Sequence, residues 1–264
     1  MKNDKAFRGS IFSCIGIFFA AALAIFGASQ AFAKDVLVWV YHDFPPFVID
    51  VENREGLSFE LADRLTEISD GDYNFQVDVL NRGRINHFVQ SDVPGIVLWT
   101  NPLWFGDKTK EKFLWSTPLF HDSAAVISPK SAPIDFSAPT DLAGLRMTGV
   151  RGHRYAGLDE LVADGQIQRI DMGSEEQQVL FVAHGRADVS VLAELAARFY
   201  VKSHGLSERV HFSKMPHSTF DRVILVQPQM RDEHAFIEQA LKQLAQDPSW
   251  QEKLKSFGVQ PDRS

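Results

Sequence analysis

The sequence predicts an α/β fold of two lobes that are joined by two crossings of the chain. Apolar strand-like runs alternate with amphipathic helical patterns almost to the end, which is typical of βαβ units. The alternation breaks near residue 122 and then starts again in the middle third, which indicates a second α/β unit. The last strand-like run can return the chain to the first unit. The predicted lobes are residues 34–122 plus 229–264, and residues 123–228, with a cleft between them.

The first third contains three strand patterns and two helix patterns. The run VLVWV, residues 36–40, is rich in β-branched residues and reads as a buried strand. Apolar residues recur on one face of residues 57–68, which predicts an amphipathic helix. Strands are also predicted at 73–80 and 95–99, and a short helix at 84–91.

The rest of the chain repeats this pattern. Residues 141–150 predict a turn and a strand that lead into Gly152, which we expect to precede the start of a helix. Ser174 and Gln177 predict a capping box for the helix that Gly185 closes. Further strands are predicted at 167–172, 187–193 and 221–228, with helices at 194–204 and at 232–258, the last broken at Asp247 and Pro248.

The first residues predict a secretory signal peptide. Lys2, Lys5 and Arg8 precede an apolar stretch, and Ala31-Phe32-Ala33 supplies the small residues of a cleavage site. We therefore expect residues 1–33 to be removed and the protein to lie in the periplasm. The uncharged run 9–33 is also long enough to be retained as a membrane anchor.

Composition and motifs exclude several classes of function. Cys14 is the only cysteine and lies in the predicted signal peptide, so the mature chain has no thiol for a disulfide or a metal site. A net charge of −7 argues against a nucleic-acid surface. No nucleotide-binding, zinc-protease or serine-hydrolase motif is present, and the nine histidines are scattered. We expect no cofactor, no metal and no catalytic residue.

An aromatic loop follows the first predicted strand. Pro45 and Pro46 end that strand because they lack N–H donors, and they stiffen the loop that carries Phe44 and Phe47. In open α/β sheets, ligands bind at the carboxyl ends of strands. Phe44 is therefore a candidate ligand contact, whereas packing under the loop is the favoured interpretation for Phe47.

The order of five segments resembles bacterial extracellular solute-binding proteins of family 3, the periplasmic receptors of amino-acid ABC importers. The segments are FPPF, GLSFELADRL, DLAGLRMTGVRG, SEEQQVLFVAHGRADVSV and a pair of carboxy-terminal helices ending in FG. The resemblance covers nearly all of residues 35–258. It implies a periplasmic-binding-protein-like fold whose two α/β lobes are joined by a two-crossing hinge and close on a small ligand.

The resemblance also implies roles for individual positions. Phe44 falls where the family has an aromatic residue that covers the ligand. The arginine that clamps the ligand carboxylate in amino-acid binders has no counterpart in residues 100–120. The amine-binding aspartate corresponds to Ala193, with Glu194 beside it, and another frequent aspartate corresponds to Tyr41. Because both anchors of a zwitterion are missing, we expect free standard α-amino acids to bind weakly.

The sequence places the candidate anion site in the segment VRGHRY. Two arginines and a histidine surround a glycine there, and a following helix start would add N–H donors. Solvated side chains are the alternative, and Lys108 and Lys110 are the next candidates. The predicted ligand-binding residues are Tyr41, Phe44, Thr100, Asn101, Trp104, Arg151, Gly152, His153, Arg154 and Glu194.

The predicted function is a monomeric solute-binding protein that takes up a small, anionic and partly apolar ligand for an ABC importer. A binding module that signals to a membrane sensor is the first alternative. A periplasmic enzyme similar to a dehydratase, with a general acid among His42, Asp43 and Glu194, is the second.

Overall fold

The computed structural model describes residues 33–259. The predicted signal peptide, residues 1–33, lies outside this range except for Ala33, and so does Cys14. Among the helices that the structure describes, none is long and apolar enough to cross a membrane.

Strands and helices alternate along the described chain. The strands are β1 (Lys34–Val40), β2 (Tyr73–Val79), β3 (Ile96–Thr100), β4 (Leu114–Trp115), β5 (Phe120–Pro129), β6 (Arg146–Val150), β7 (Gln168–Met172), β8 (Val189–Ala193), β9 (Val210–Phe212) and β10 (Ser218–Val226). The helices are α1 (Leu57–Ile68), α2 (Arg82–Gln90), α3 (Asp159–Ala163), α4 (Glu175–Ala183), α5 (Glu194–Ser203), α6 (Arg231–Gln246) and α7 (Pro248–Ser256). Short 3₁₀ turns span Pro102–Phe105 and Pro139–Leu142.

The first lobe is built on parallel strands β2, β1 and β3, with β10 antiparallel to β3. Helix α1 packs on β2, and the carboxy-terminal helix α6 packs on α1 and β4. The strand residues Val36, Val38 and Ile96 are fully buried together with Leu61 and Leu65 of α1. The apolar stripe of α1 thus covers one face of this sheet.

The second lobe has parallel strands β7, β6 and β8, with β5 antiparallel to β8. Helices α4 and α5 pack on each other and on β5. Its core includes Ile127 of β5, Val179 of α4 and Val191 of β8, all fully buried. Each lobe therefore has its own core, as the predicted α/β fold requires.

Strands β5 and β10 are the two crossings. Phe120–Ala124 of β5 pair with Ser218–Arg222 of β10, and each strand then continues into a different sheet. β10 pairs with β3 from Val223 onward, so the chain returns to the first sheet a few residues before the predicted boundary at residue 229. The lobe boundaries themselves stay predictions.

Most predicted elements are confirmed, but two predictions fail. The capping box is incomplete, because the Gln177 side chain accepts from the Gly173 N–H and not from that of Ser174. No helix starts directly after Gly152. Helix α1 spans residues Leu57–Ile68 as predicted, and Ser174 caps α4 while Gly185 follows it with a φ of 66°. The helix expected directly after Gly152 begins only at Asp159, and residues 151–158 form two turns with irregular backbone between them. The backbone N–H groups of Arg151 and His153 already bond to Met172 and Val150, so they are not free donors.

The aromatic loop is fastened to the start of α1. The first N–H groups of that helix donate to loop carbonyls, from Leu57 to Pro46 and from Ser58 to Phe47. This close approach requires Gly56, which has a φ of 128°. A Cβ atom at this position would lie 2.6 Å from the carbonyl oxygen of Phe47. Glycine is therefore needed at position 56, where the loop contacts the start of α1.

We expect Gly56→Ala to destabilise the protein by about 2 kcal/mol or more, because the substitution adds both backbone strain and a clash with Phe47. Gly71→Ala is the matched control, since Gly71 also has positive φ, 96°, but a Cβ atom added there would meet nothing within 4 Å. Urea unfolding of both variants measures the difference. Equal losses of stability would show that the contact with Phe47 is unimportant.

Candidate functional site

The aromatic loop and the chain crossings meet at the carboxyl ends of β1 and β3. His42 of the loop is 6% exposed, and its ring centre lies 4.1 Å from that of Tyr41 and 5.4 Å from that of Phe44. Phe47 is fully buried beneath the loop, as the packing interpretation predicted. The loop thus contributes one wall of aromatic rings.

A buried ion pair joins the two crossing strands. Arg222 of β10 is 1% exposed, and its Nε and Nη2 donate to the carboxylate of Asp122 on β5 at 2.9 and 2.7 Å. Its Nη1 donates to Nε2 of His42 and to the carbonyl oxygen of Trp99, both at 2.8 Å. The guanidinium thereby links both crossings to the loop and to the end of β3.

Strand register explains why these side chains meet. Arg222 pairs with Phe120, and Asp122 pairs with Phe220, so Arg222 and Asp122 are diagonal neighbours on one face of an antiparallel ladder. Phe220 lies on that same face, and its ring centre is 4.9 Å from the Arg222 guanidinium carbon. The rings of Phe47 and Trp104 lie 4.8 and 5.3 Å from the same carbon. Three aromatic faces therefore stabilise the buried cation.

The end of β3 is strained at this point. Trp99 is fully buried and has a φ of 59°, in the left-handed region that a bulky residue rarely occupies. Its indole Nε1 donates to Ser58 at 2.9 Å, and its carbonyl accepts from Arg222. These two contacts at opposite ends of the residue hold the unusual backbone in place.

Arg82, at the start of α2, supplies a second guanidinium. It lies against the rings of Tyr41 and Phe105, at 4.6 and 4.1 Å from their centres. Its hydrogen bonds go to uncharged groups, Asn86 at 2.8 Å and the carbonyl of Trp104. No carboxylate pairs with it in the part of the chain that the structure describes. Its positive charge is therefore not compensated locally.

The second lobe contributes further basic groups. Arg169 of β7 donates to the carbonyl of Val150 at 2.8 Å and to Asp171 at 2.8 Å, and lies 3.4 Å from Asp159. Its guanidinium carbon lies 5.3 Å from the ring centre of Tyr155, and burial raises the Tyr155 pKa to about 12. Arg169 is thus neutralised by carboxylates, unlike Arg82.

Burial and these charges lower the pKa values of two histidines, His42 and His153. Burial, with the charges of Arg222 and Arg82, holds the pKa of His42 well below the ordinary value of 6.5. Desolvation, with the charges of Arg169 and Arg82, also lowers the pKa of His153, which comes from the second lobe. Each imidazole is therefore expected to be neutral at pH 7.

Asp43, next to His42 in the loop, and Glu175, at the start of α4, are two carboxylates that influence each other. Burial raises the pKa of Glu175, at the start of α4, and the negative charge of Asp43 raises it further. Burial and the same carboxylates raise the pKa of Tyr200. We call Arg82, Arg169 and Arg222 the basic pole, and Asp43 with Glu175 the acidic pair.

The predicted residues of the first lobe lie around the basic pole. The hydroxyl of Tyr41 lies 3.3 Å from that of Thr100, which is fully buried. The side-chain N–H of Asn101 donates to the backbone carbonyl of Asp221, and its side-chain oxygen accepts from the Leu103 N–H at the start of the 3₁₀ turn. Both ends of the amide are therefore hydrogen-bonded. Trp104 lies 6.1 Å from His42 and 4.9 Å from Phe220, ring centre to ring centre.

The predicted residues of the second lobe are more dispersed. Within the segment 151–154, burial and the charges of the basic pole lower the pKa of His153. The side chain of Arg154 is 90% exposed and lies 3.8 Å from Asp159. Glu194 accepts from Arg198 at 2.7 Å and from Ser123, so it is engaged at the start of α5.

The loop where the resemblance expects an arginine is organised around a carboxylate instead. Asp107 is 1% exposed and accepts from Trp115 Nε1 at 2.8 Å and from the backbone of Glu111 at 2.9 Å. Lys108 and Lys110 are exposed on the same turn. The charged groups of the site therefore come from other elements.

Sequence reasoning missed Arg222, Asp122 and Arg82. The available signal was weak: an arginine opens the apolar run of β10, and another follows the Asn81 cap of α2. His42 was considered only as a general acid. Among the residues described, no group of three or more potential metal ligands converges.

No protein-family model matches the sequence, and neither does any curated protein. Solved structures do match. A histidine kinase sensor domain with similarity to periplasmic binding proteins aligns with 88% of this chain and 99% of its own, at 15% identity and a TM-score of 0.69. An ancestral arginine-binding protein bound to arginine aligns with 86% of this chain and 99% of its own, at 17% identity and a TM-score of 0.68.

The GluR0 ligand-binding core from Nostoc punctiforme, in complex with L-glutamate, is also similar: 84% of this chain and 98% of that one align, at 15% identity and a TM-score of 0.66. At identities this low the likeness shows the fold alone. The predicted resemblance to periplasmic solute-binding proteins is thus confirmed for the fold.

We expect Arg222→Met to destabilise the protein by roughly 3 to 5 kcal/mol, because it leaves the Asp122 carboxylate buried without a partner. Lys130→Met is the control, since Lys130 pairs with Glu208 at 2.8 Å on the surface, where a pair contributes about 1 kcal/mol or less. Chemical unfolding measures both. A small effect of Arg222→Met would mean that Asp122 finds water or another donor.

We expect stability to fall as the pH is lowered below about 6.5, since the unfolded chain protonates His42 and His153 there while the folded chain resists. The folded protein then binds fewer protons than the unfolded chain. Because a falling pH favours the state that binds more protons, the free energy of unfolding decreases. His42→Gln should flatten this dependence, and His87→Gln, at an exposed position of α2, should not. Unfolding at about pH 5 and about pH 7.5 tests this. An unchanged slope in His42→Gln would contradict it.

Proposed function

We propose that the protein is a periplasmic solute-binding protein whose two lobes close on a small organic acid with an apolar or aromatic part. The observation that carries this proposal is the uncompensated charge of Arg82, held between two aromatic rings at the carboxyl ends of the strands. A guanidinium fixed in this way is suited to a planar carboxylate. The rings of Phe44 and Trp104 are suited to the apolar part of the ligand.

Charge balance supports an anion. Asp122 neutralises Arg222, and two carboxylates accompany Arg169, whereas the partners of Arg82 among the described residues are uncharged. We propose that Arg82 holds the acid from the first lobe. The predicted segment Arg151–Arg154 would face it from the second lobe, where the charge of Arg82 contributes to the lowered pKa of His153. Anion binding would then favour closure of the lobes.

Delivery to an ABC importer is the first biological role that we propose. One similar solved structure is the substrate binding protein of an amino acid ABC transporter. We expect a monomer with a permease as its membrane partner. The similar histidine kinase sensor domain supports a second candidate, a sensor module of the cell envelope. A screen of membrane partners by crosslinking separates the two roles.

A matched set of acids tests the proposed ligand class. We expect phenylacetate or phenylpyruvate to bind more tightly than phenylalanine, which has the carbon skeleton of phenylpyruvate with an ammonium group in place of the ketone. Arg82→Gln should weaken acid binding by roughly 1.5 to 3 kcal/mol, the usual contribution of a charge-assisted hydrogen bond. Arg154→Ala should weaken it less, because Arg154 is 90% exposed. Calorimetry measures each affinity.

Two results would contradict this assignment. Unchanged affinity in Arg82→Gln together with a large loss of affinity in Arg154→Ala would place the anion site at residues 151–154, as the sequence predicted. Tight binding of phenylalanine, abolished by Asp43→Asn, would instead mean that Asp43 and Glu175 hold an ammonium group.

A further inference from the structure

His42 has one occupied and one unoccupied ring nitrogen. Its Nε2 lies 2.8 Å from Nη1 of Arg222. Its Nδ1 is buried and has no hydrogen-bond partner among the residues that the structure describes. The ring itself is 6% exposed, so bulk water does not solvate it freely.

The contact with Arg222 fixes the tautomer of His42. A guanidinium can only donate hydrogen bonds, and it does not lose its proton in proteins. Nε2 must therefore accept with its lone pair, which places the proton of the neutral ring on Nδ1. The unoccupied nitrogen is thus an N–H donor.

The surroundings of this donor are aromatic and offer it no acceptor within the described part of the chain. The ring centres nearest to the imidazole belong to Tyr41, Phe44, Phe47 and Trp104, at 4.1 to 6.1 Å. Buried N–H groups without partners are rare, because leaving one unpaired costs free energy. The two ring nitrogens point away from each other, so Nδ1 is directed away from the Arg222 guanidinium.

We propose that the Nδ1–H group of His42 is a ligand-binding donor that takes an sp² oxygen, either a carbonyl or a carboxylate oxygen, of the bound acid. The inference rests on the proposed function, since it assigns a second contact to the same cleft. Arg82 then supplies charge, and His42 supplies an uncharged, directional donor. A ligand with two acceptor groups would satisfy both.

Arg222 and Asp122 act as positioning residues in this arrangement. The Asp122 carboxylate holds the guanidinium, and the guanidinium holds Nε2 of His42, so the ring cannot flip without breaking a buried bond. The nearby positive charges oppose a second proton on the ring. The donor is therefore expected to stay neutral and fixed in direction.

The first experiment reads the tautomer without any ligand. Nitrogen NMR of the histidine-labelled protein, with His42→Gln used to assign the resonance, distinguishes Nδ1–H, Nε2–H and the doubly protonated ring. We expect neutral His42 with the proton on Nδ1 at neutral pH. A proton on Nε2, or a charged ring, would overturn the inference.

The second experiment uses phenylacetate and phenylpyruvate, which differ by one ketone carbonyl. We expect binding of at least one of them to shift the His42 Nδ1–H resonance. If phenylacetate shifts it, the acceptor is a carboxylate oxygen, and if only phenylpyruvate does, the acceptor is the ketone. Binding that leaves this resonance unchanged would overturn the inference but not the proposed function. Absence of binding by both acids would contradict both.

A reciprocal pair of substitutions separates the two nitrogens. The side-chain oxygen of Gln can accept from Arg222 in place of Nε2 but offers no donor at Nδ1, whereas the amide of Asn can donate near Nδ1 but does not reach Arg222. His42→Gln should keep its stability and lose roughly three- to tenfold in affinity for the acid that binds. His42→Asn should lose stability and retain more of the affinity. The opposite pattern would assign the role of His42 to packing alone.

Discussion

The architecture of the cleft depends on the buried ion pair between Arg222 and Asp122. It lies where the two crossing strands pair, and from there β10 continues into the first sheet while β5 continues into the second. An ion pair with this degree of burial adds little net stability compared with an apolar pair, because desolvation offsets the attraction. Its contribution is to hold neighbouring groups in position. One guanidinium fixes the orientation of the His42 ring and of the Trp99 carbonyl.

Preorganisation follows from these contacts. The strained backbone of Trp99, the aromatic loop fastened through Gly56 and the rings around Arg222 are all held by groups that need no ligand. A site whose side chains are already ordered loses less entropy on binding. Arg82 fits the same description, since two rings and two hydrogen bonds already restrict its guanidinium.

The charged groups of the site lie on other elements than those that the family resemblance implies. The loop in which an arginine is expected holds a buried carboxylate, Asp107, which accepts hydrogen bonds from its own turn. The basic groups come from α2, from β10 and from the second lobe, and the acidic pair comes from the aromatic loop and α4. A shared fold therefore does not carry a shared ligand with it, because ligand choice depends on where a few charged side chains are placed.

The elements and the order in which they occur follow from local sequence patterns. Hydrophobic periodicity is a local property, so the helix at Leu57–Ile68 and the capped helix after Ser174 could be predicted from neighbouring residues. The short strand β9 was missed because three residues carry no periodicity. The local pattern around Gly152 predicts a helix start, but turns separate this residue from α3.

The candidate site, in contrast, depends on contacts between residues that are far apart in the chain. Arg222 is 100 positions from Asp122 and 180 from His42 along the chain, and no local pattern relates residues so far apart. Their meeting depends on the register of β5 against β10 and on the strand order that brings the end of β1 beside that crossing. The uncompensated charge of Arg82 is also a tertiary property, because it depends on which carboxylates the fold leaves out of reach.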